Sequence, residues 1–293
     1  MPLSVQQAYR HCQATTRSHY ENFPVASLLL PRRLRKPVSA IYTFARMADD
    51  IADEGDRTDQ ERVTLLKQAE ADLLQAAKGQ PNDMPVYIAL ADVLAETPEL
   101  LQPLLHLLTA FNQDIHKKRF AHIGEIMEYC RYSANPVGRM LLILYGAAST
   151  KNIAYSDAIC SALQIINFLQ DIQSDYLDRD RIYMSHDELL RFKLDETDLD
   201  GHNNHPQLRP FMQFQINRAL TLLQSGAPLG IRLHGRLGLE LRMMILGGWR
   251  VLKKLHENDG DISQNAKLGK SDWLWIASHA LTSRFKVYSR KLF

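Results

Sequence analysis

The stretch Asn167-Phe-Leu-Gln-Asp171-Ile-Gln-Ser-Asp175-Tyr-Leu-Asp-Arg-Asp-Arg181-Ile-Tyr183 sets Asn167, Asp171 and Asp175 four residues apart. At 3.6 residues per turn, this spacing stacks the three on one helix face, with neighbouring Cβ atoms about 6 Å apart. Ile166, Phe168, Leu169 and Ile172 lie between them, so the stripe is expected to be buried on a largely apolar helix. Burying two carboxylates and an amide among aliphatic residues is unfavourable unless a cation meets them. Mg2+ suits such a donor set, because it takes oxygen ligands and commonly bridges carboxylates to substrate phosphates. Taken alone, the same spacing also fits a solvated acidic helix face.

A second copy of the pattern weighs against that blander reading. Upstream, Ile41 to Glu54 reads I-Y-T-F-A-R-M-A-D-D-I-A-D-E, again with Asp49 and Asp53 four apart and Arg46 one turn before Asp49. Asp49, Asp50, Asp53 and Glu54 crowd into six residues directly after an apolar run. Such crowding raises carboxylate pKa values unless cations neutralise it. Two acidic turns facing each other across a cavity would hold several Mg2+ ions with a diphosphate between them.

With 293 residues, 45% of them hydrophobic, the chain is long enough to bury a sizeable core. A formal net charge of +2 gives no basis for nucleic-acid binding, which needs a stronger basic excess. Cys12, Cys130 and Cys160 have no C-x-x-C spacing and read as reduced residues of a cytoplasmic protein. No run reaches the ~18 apolar residues of a membrane span.

Helical periodicity covers nearly every segment. Helices are expected over 4–17, 59–77, 86–94, 98–111, 211–225 and 237–255. One long helix is expected over 124–148, bent at Asn135-Pro136, and 186–210 reads as a loop with a short helical piece. The expected fold is all-α: a single domain over residues 1–293, a helical bundle around a central apolar cavity. Such a cavity, polar at one end and oily at the other, matches an isoprenoid diphosphate. Phe23, Tyr42, Tyr129 and Tyr132 are candidates to stabilise a carbocation through their ring faces. The segment from Ser271 to Phe293 pairs Trp273 and Trp275 with Arg284, Lys286, Arg290 and Lys291. It reads first as the closing helix and second as a peripheral contact with the inner face of a membrane.

These residues resemble the squalene/phytoene synthase family, all-helical enzymes that couple two prenyl diphosphates head to head. Arg46, Asp49, Asp50 and Asp53 match its R-x-x-D-D-x-x-D motif. Asn167, Asp171, Asp175, Arg181 and Tyr183 match N-x-x-x-D-x-x-x-D followed by R-x-Y. Tyr129-Cys130, Ala134, Val137 and Gly138 match a third segment, and Asp114 stands where the family has an aspartate. The likeness runs from about residue 9 to 281. The chain departs at Asn22-Phe23-Pro24, at Asn135-Pro136, at Gln170 (commonly arginine) and at Ser174 (often glutamate). The first two departures look like the hopanoid-pathway branch, which converts presqualene diphosphate to hydroxysqualene.

The resemblance implies that Asp49, Asp53, Asn167, Asp171 and Asp175 bind Mg2+. It implies a substrate-contacting set of Arg46, Tyr42, Asn22, Phe23, Arg181, Tyr183, Val137 and Gly138, with Tyr129 and Asn135 catalytic. Asn135 and Asn22 are the candidates to position an attacking water, although Asn135-Pro136 equally fits a helix-bending role. The reaction would be redox-neutral, so no NADPH is expected. Two other readings stay open: a squalene or phytoene synthase starting from two prenyl diphosphates, and a non-catalytic relative serving as an assembly module. A di-iron bundle needs Glu-x-x-His pairs, which the chain lacks. Oligomeric state is not legible in the sequence.

Overall fold

The computed structural model describes residues 3–18, 30–202, 205–264 and 266–281. Asn22 and Phe23 lie outside them, as do residues 282–293. Among the described residues the structure is helical without strands, and they group into two compact units, 1–117 with 139–148, and 118–138 with 149–293.

The first unit contains α1 (Val5–Ser18), α2 (Arg35–Asp53), α3 (Asp59–Ala77), α4 (Pro85–Glu96) and α5 (Leu101–His116). Helix α2 packs against each of the others, and Phe44, Leu73, Tyr87, Leu90 and Leu104 are buried between them. Local chemistry fixes the helix ends. Thr58 and Glu61 form a reciprocal capping box at the start of α3. Gly79, at φ 76°, turns the chain after it, and Pro85 opens α4 where its missing N–H costs least.

The second unit holds α6 (Ile123–Tyr132), the first residues of α7 (Asn135–Leu144), α8 (Thr150–Gln170), α9 (Ile172–Arg179), α10 (His186–Arg191), α11 (Leu208–Gly226), α12 (Leu229–Arg232), α13 (Gly235–Glu257) and α14 (Lys270–Leu281). Helix α8 is central, touching α6, α9, α11, α12 and α13. Helices α8 and α11 approach closely at Gly226, where an added Cβ would lie 2.6 Å from the Tyr155 carbonyl oxygen.

Two expected helices are each divided. The long helix of 124–148 is two, α6 and α7, separated at Ser133 and Ala134. Pro136 has no N–H to give, and its ring would clash with a preceding turn, whereas the second position of a new helix accepts it. The helix through the acidic stripe also breaks, at Asp171 (φ −109°, ψ 12°). The i→i−4 ladder nevertheless runs across the break, from Asp171 N to Asn167 O at 3.0 Å and from Asp175 N to Asp171 O at 2.7 Å.

Gly138 fits α7 onto α8. A Cβ there would stand 2.3 Å from Ser156 Oγ and 2.6 Å from Cys160 Sγ. Gly138→Ala is therefore expected to lower stability by about 1–3 kcal/mol, the usual cost of overpacking, as read from chemical denaturation.

Candidate active site

The first acidic turn ends α2. Its Arg46 sits among the carboxylates, 3.2 Å from Asp49 and 2.7 Å from Asp50, and also pairs with Glu54. Partial burial acts to lower the guanidinium pKa, but the attraction of Asp50, Asp49 and Glu54 outweighs it and leaves the pKa above its ordinary value. The crowding foreseen in the sequence is thus relieved from within the helix, and Asp53 remains exposed one turn beyond Asp49. Tyr42 is partly buried on the same helix.

Arg62, which the sequence reading did not single out, fixes the chain after this turn. Its guanidinium donates to the carbonyl oxygens of Ile51 (2.8 Å), Glu54 (3.2 Å), Gly55 (2.8 Å) and Arg57 (3.2 Å). The Ile51 and Glu54 carbonyls at the end of α2, and two more in the turn that follows, thereby find donors that the helix cannot supply.

In the second unit the acidic stripe corrects one expectation. Asn167 and Asp171 are exposed and Asp175 is partly so, while Ile166, Phe168, Leu169 and Ile172 take the buried positions. Alternating faces of one helix let the apolar residues fill the core and leave the oxygens accessible. Enough protein surrounds Asp171 that lost hydration raises its carboxyl pKa, against the opposing pull of Arg179 and Lys267. Lys267 is distant in sequence. It is brought there by Gln170, whose amide donates to the Ala266 carbonyl at 2.9 Å.

The Arg181–Tyr183 segment is placed by a different set of contacts. Asp180 adopts a left-handed conformation, φ 51°, tolerable for aspartate. Arg181 N then bonds back to Asp175 O at 2.9 Å, and Ile182 N reaches Lys118 O at 2.9 Å. The Asp180 carboxylate meets Lys118 (3.2 Å) and Arg119 (2.8 Å), and Arg119 also holds Glu196 at 2.9 Å. The chain after Asp180 therefore runs parallel to 118–121, sealed by a bridge between Phe120 and Ser185.

This register drives Tyr183 into an aromatic cluster. Its ring stacks on Phe168 at 3.9 Å between centroids and lies 5.8 Å from Tyr129 and 5.7 Å from Phe120. Two aromatic residues singled out in the sequence, Tyr129 and Tyr183, thus meet at Phe168, the residue after Asn167 in the chain. Asn135 is buried and accepts a hydrogen bond from Ser161 at 3.0 Å, which pins the start of α7 to α8. Val137 and Gly138 follow on the same turn, partly exposed.

Among the described residues, no three His, Cys, Asp or Glu side chains converge closely enough to cage a metal unaided. The donor set still fits Mg2+, which is commonly held by one or two carboxylates and completed by water and phosphate oxygens. The all-oxygen stripe of Asn167, Asp171 and Asp175 is accessible on its helix face, and the Asp171 carboxylate is incompletely compensated by the basic residues near it.

A pH measurement checks the electrostatics of this turn. Lys267 lowers the Asp171 pKa, so Lys267→Met should raise it further and move the acid limb of the kcat/KM profile to higher pH. An unmoved limb would show that Asp171 ionisation does not govern the rate.

Comparison with known proteins agrees with these motifs. The squalene/phytoene synthase family model matches residues 16–272. A hydroxysqualene synthase of Rhodopseudomonas palustris is 36% identical over 264 residues, covering 90% of this chain and 88% of that protein. A phytoene synthase of Mycobacterium tuberculosis is 32% identical over 225 residues, covering 73% and 70%. Among solved structures, the squalene synthase HpnC from Alicyclobacillus acidocaldarius superposes with a TM-score of 0.81 at 32% identity, covering 88% of this chain and 97% of that one. With both aspartate motifs intact and in order inside the matched span, the chain belongs to the squalene/phytoene synthase family.

Proposed function

We propose that this protein converts presqualene diphosphate to hydroxysqualene, releasing diphosphate. The observation that carries the reading is its identity of 36%, 33% and 31% to three hydroxysqualene synthases across 82–90% of its length. The Asn135-Pro136 helix start, with Asn135 where the family commonly has the glycine of Ala-Gly-x-Val-Gly, agrees with that branch.

In this reaction the C–O bond of the cyclopropylcarbinyl diphosphate breaks, and the diphosphate leaves with the electron pair. The carbon skeleton rearranges, and a water oxygen forms the new C–O bond and gives up a proton. No net oxidation occurs, so no nicotinamide cofactor is required. Bound Mg2+ would supply Lewis-acid stabilisation of the departing phosphate oxygens. Asp49 and Asp53 in the first unit, and Asn167, Asp171 and Asp175 in the second, are the proposed ligands. Lys267 and Arg181 would add positive charge for the diphosphate, with Lys267 supplying the cation that relatives carry at position 170. Tyr129, Phe168 and Tyr183 offer ring faces that attract a cation and exclude stray water.

The test is incubation of purified protein with presqualene diphosphate and Mg2+, without NADPH, and mass spectrometry of the product. Hydroxysqualene is the expected product. Consumption of farnesyl or geranylgeranyl diphosphate alone would assign the chain to a coupling synthase instead.

A further inference from the structure

Helix α14 has two unlike faces. Asp272, Ile276, His279 and Ala280 are buried against the second unit, while Trp273, Leu274 and Leu281 are 52%, 74% and 71% exposed. Leu274 and Leu281 are seven residues apart, two turns along one side, with Trp273 beside them and exposed Lys270 in line. Isolated exposed leucines are ordinary on protein surfaces, but a tryptophan and two leucines aligned on one helix are not.

A second element extends this face. The Arg242 guanidinium donates to the Ala280 carbonyl at 2.7 Å and to the Gly230 carbonyl at 2.8 Å. One side chain therefore ties the end of α14 to α12. The residues following those two carbonyls, Leu281 and Ile231, are both exposed hydrophobics. Arg232, next in sequence after Ile231, and Arg236, at the start of α13, are exposed as well.

The segments that carry this surface are mostly basic, and Glu240, just beyond the α12 turn, is partly buried. Between Leu229 and Leu239 the sequence has no acid. Within α14 the only acid is Asp272, which is 2% exposed and already paired with Arg250 and Lys254. Residues 282–293 add Arg284, Lys286, Arg290 and Lys291 and no acid. Apolar side chains for the acyl boundary, a tryptophan for the interface and uncompensated basic residues for headgroups are what an anionic bilayer surface selects. Among the described residues no helix is long and apolar enough to cross a membrane, which leaves in-plane contact as the mode.

We infer that α14, with the α12 turn clamped to it through Arg242, is a docking face for the surface of an anionic lipid bilayer. The inference does not depend on which reaction the enzyme performs.

Sedimentation of the full chain with vesicles tests it. Wild-type protein should bind phosphatidylcholine vesicles containing phosphatidylglycerol and bind pure phosphatidylcholine at least about tenfold more weakly. Raising salt from ~50 to ~500 mM should release it, since screening shortens the reach of headgroup charge. The triple variant Trp273→Ser, Leu274→Ser, Leu281→Ser should lose about tenfold or more in vesicle binding. It should keep its circular dichroism spectrum, and its turnover in detergent solution should be unchanged. Because turnover is read without vesicles, failure of the proposed reaction is distinguishable from failure to dock. Wild-type-like vesicle binding by the triple variant would overturn the inference, as would wild-type binding indifferent to lipid charge. So would a wild-type dimer that the same substitutions convert to monomer, because a second copy would then be what covers the face.

Discussion

Asp171→Asn is expected to lower kcat/KM by about 10^3-fold or more while leaving the melting temperature unchanged or slightly higher. The loss follows from the proposed magnesium role. An amide keeps the shape but not the charge, and metal stabilisation of a leaving group is worth several kcal/mol, with each ~1.4 kcal/mol a factor of ten. The stability result follows from the raised pKa. A carboxyl that is harder to ionise in the folded state than in the unfolded one destabilises the fold at pH values above its folded pKa. Removing that charge at pH 7 therefore relieves the fold while disabling the chemistry. Steady-state kinetics at saturating Mg2+, together with a thermal melt, measure both. Unchanged turnover in Asp171→Asn and Asp49→Asn would take these aspartates out of the chemistry, and a wild type without turnover would favour the non-catalytic relative.

The largest stability effect is expected at Asp272, far from the aspartate motifs in sequence. Its carboxylate is 2% exposed and is held by Arg250 at 2.6 Å, Lys254 at 3.0 Å and the Gly269 N–H at 2.8 Å. Hydrogen bonds from Arg250 and the Gly269 N–H, together with Lys254, depress its pKa well below the ordinary carboxylate range. Removing one member of a buried pair strands the others, and the two cations here keep some contact with water. Asp272→Ala should therefore cost about 2–3 kcal/mol, below the 3–5 kcal/mol of fully buried pairs. Since the folded pKa is depressed, this stability is fully present above the unfolded aspartate pKa of about 3.9 and is lost as pH falls below it. Urea titrations at pH 7 and pH 3 should show the gap between wild type and variant narrowing in acid.

The two motifs were legible because their information is local. A four-residue repeat of Asn and Asp follows the helical period, and R-x-x-D-D-x-x-D needs only one turn of α2 to bring Arg46 to Asp49 and Asp50. The boundaries of α3 could also be read off, since Asp59–Ala77 is set by Thr58 and Glu61 at one end and Gly79 at the other. Less of the site was legible where the chain must return to itself. Lys267 reaches the Asp171 turn only through the bond from Gln170 to Ala266. Tyr183 reaches Tyr129 only because Lys118 and Arg119 hold Asp180. Neither contact leaves a periodic trace.

What the amino-acid sequence alone determined is the helical class and the identity of the acidic turns, since both depend on spacings shorter than two turns. It also pointed to the family. The tertiary structure decided that the stripe of Asn167, Asp171 and Asp175 stays accessible, that two expected helices are each divided, and which distant cations and rings surround the second turn. Those outcomes depend on which face wins the core and on bonds between residues up to about a hundred positions apart, quantities fixed by packing rather than by local propensity.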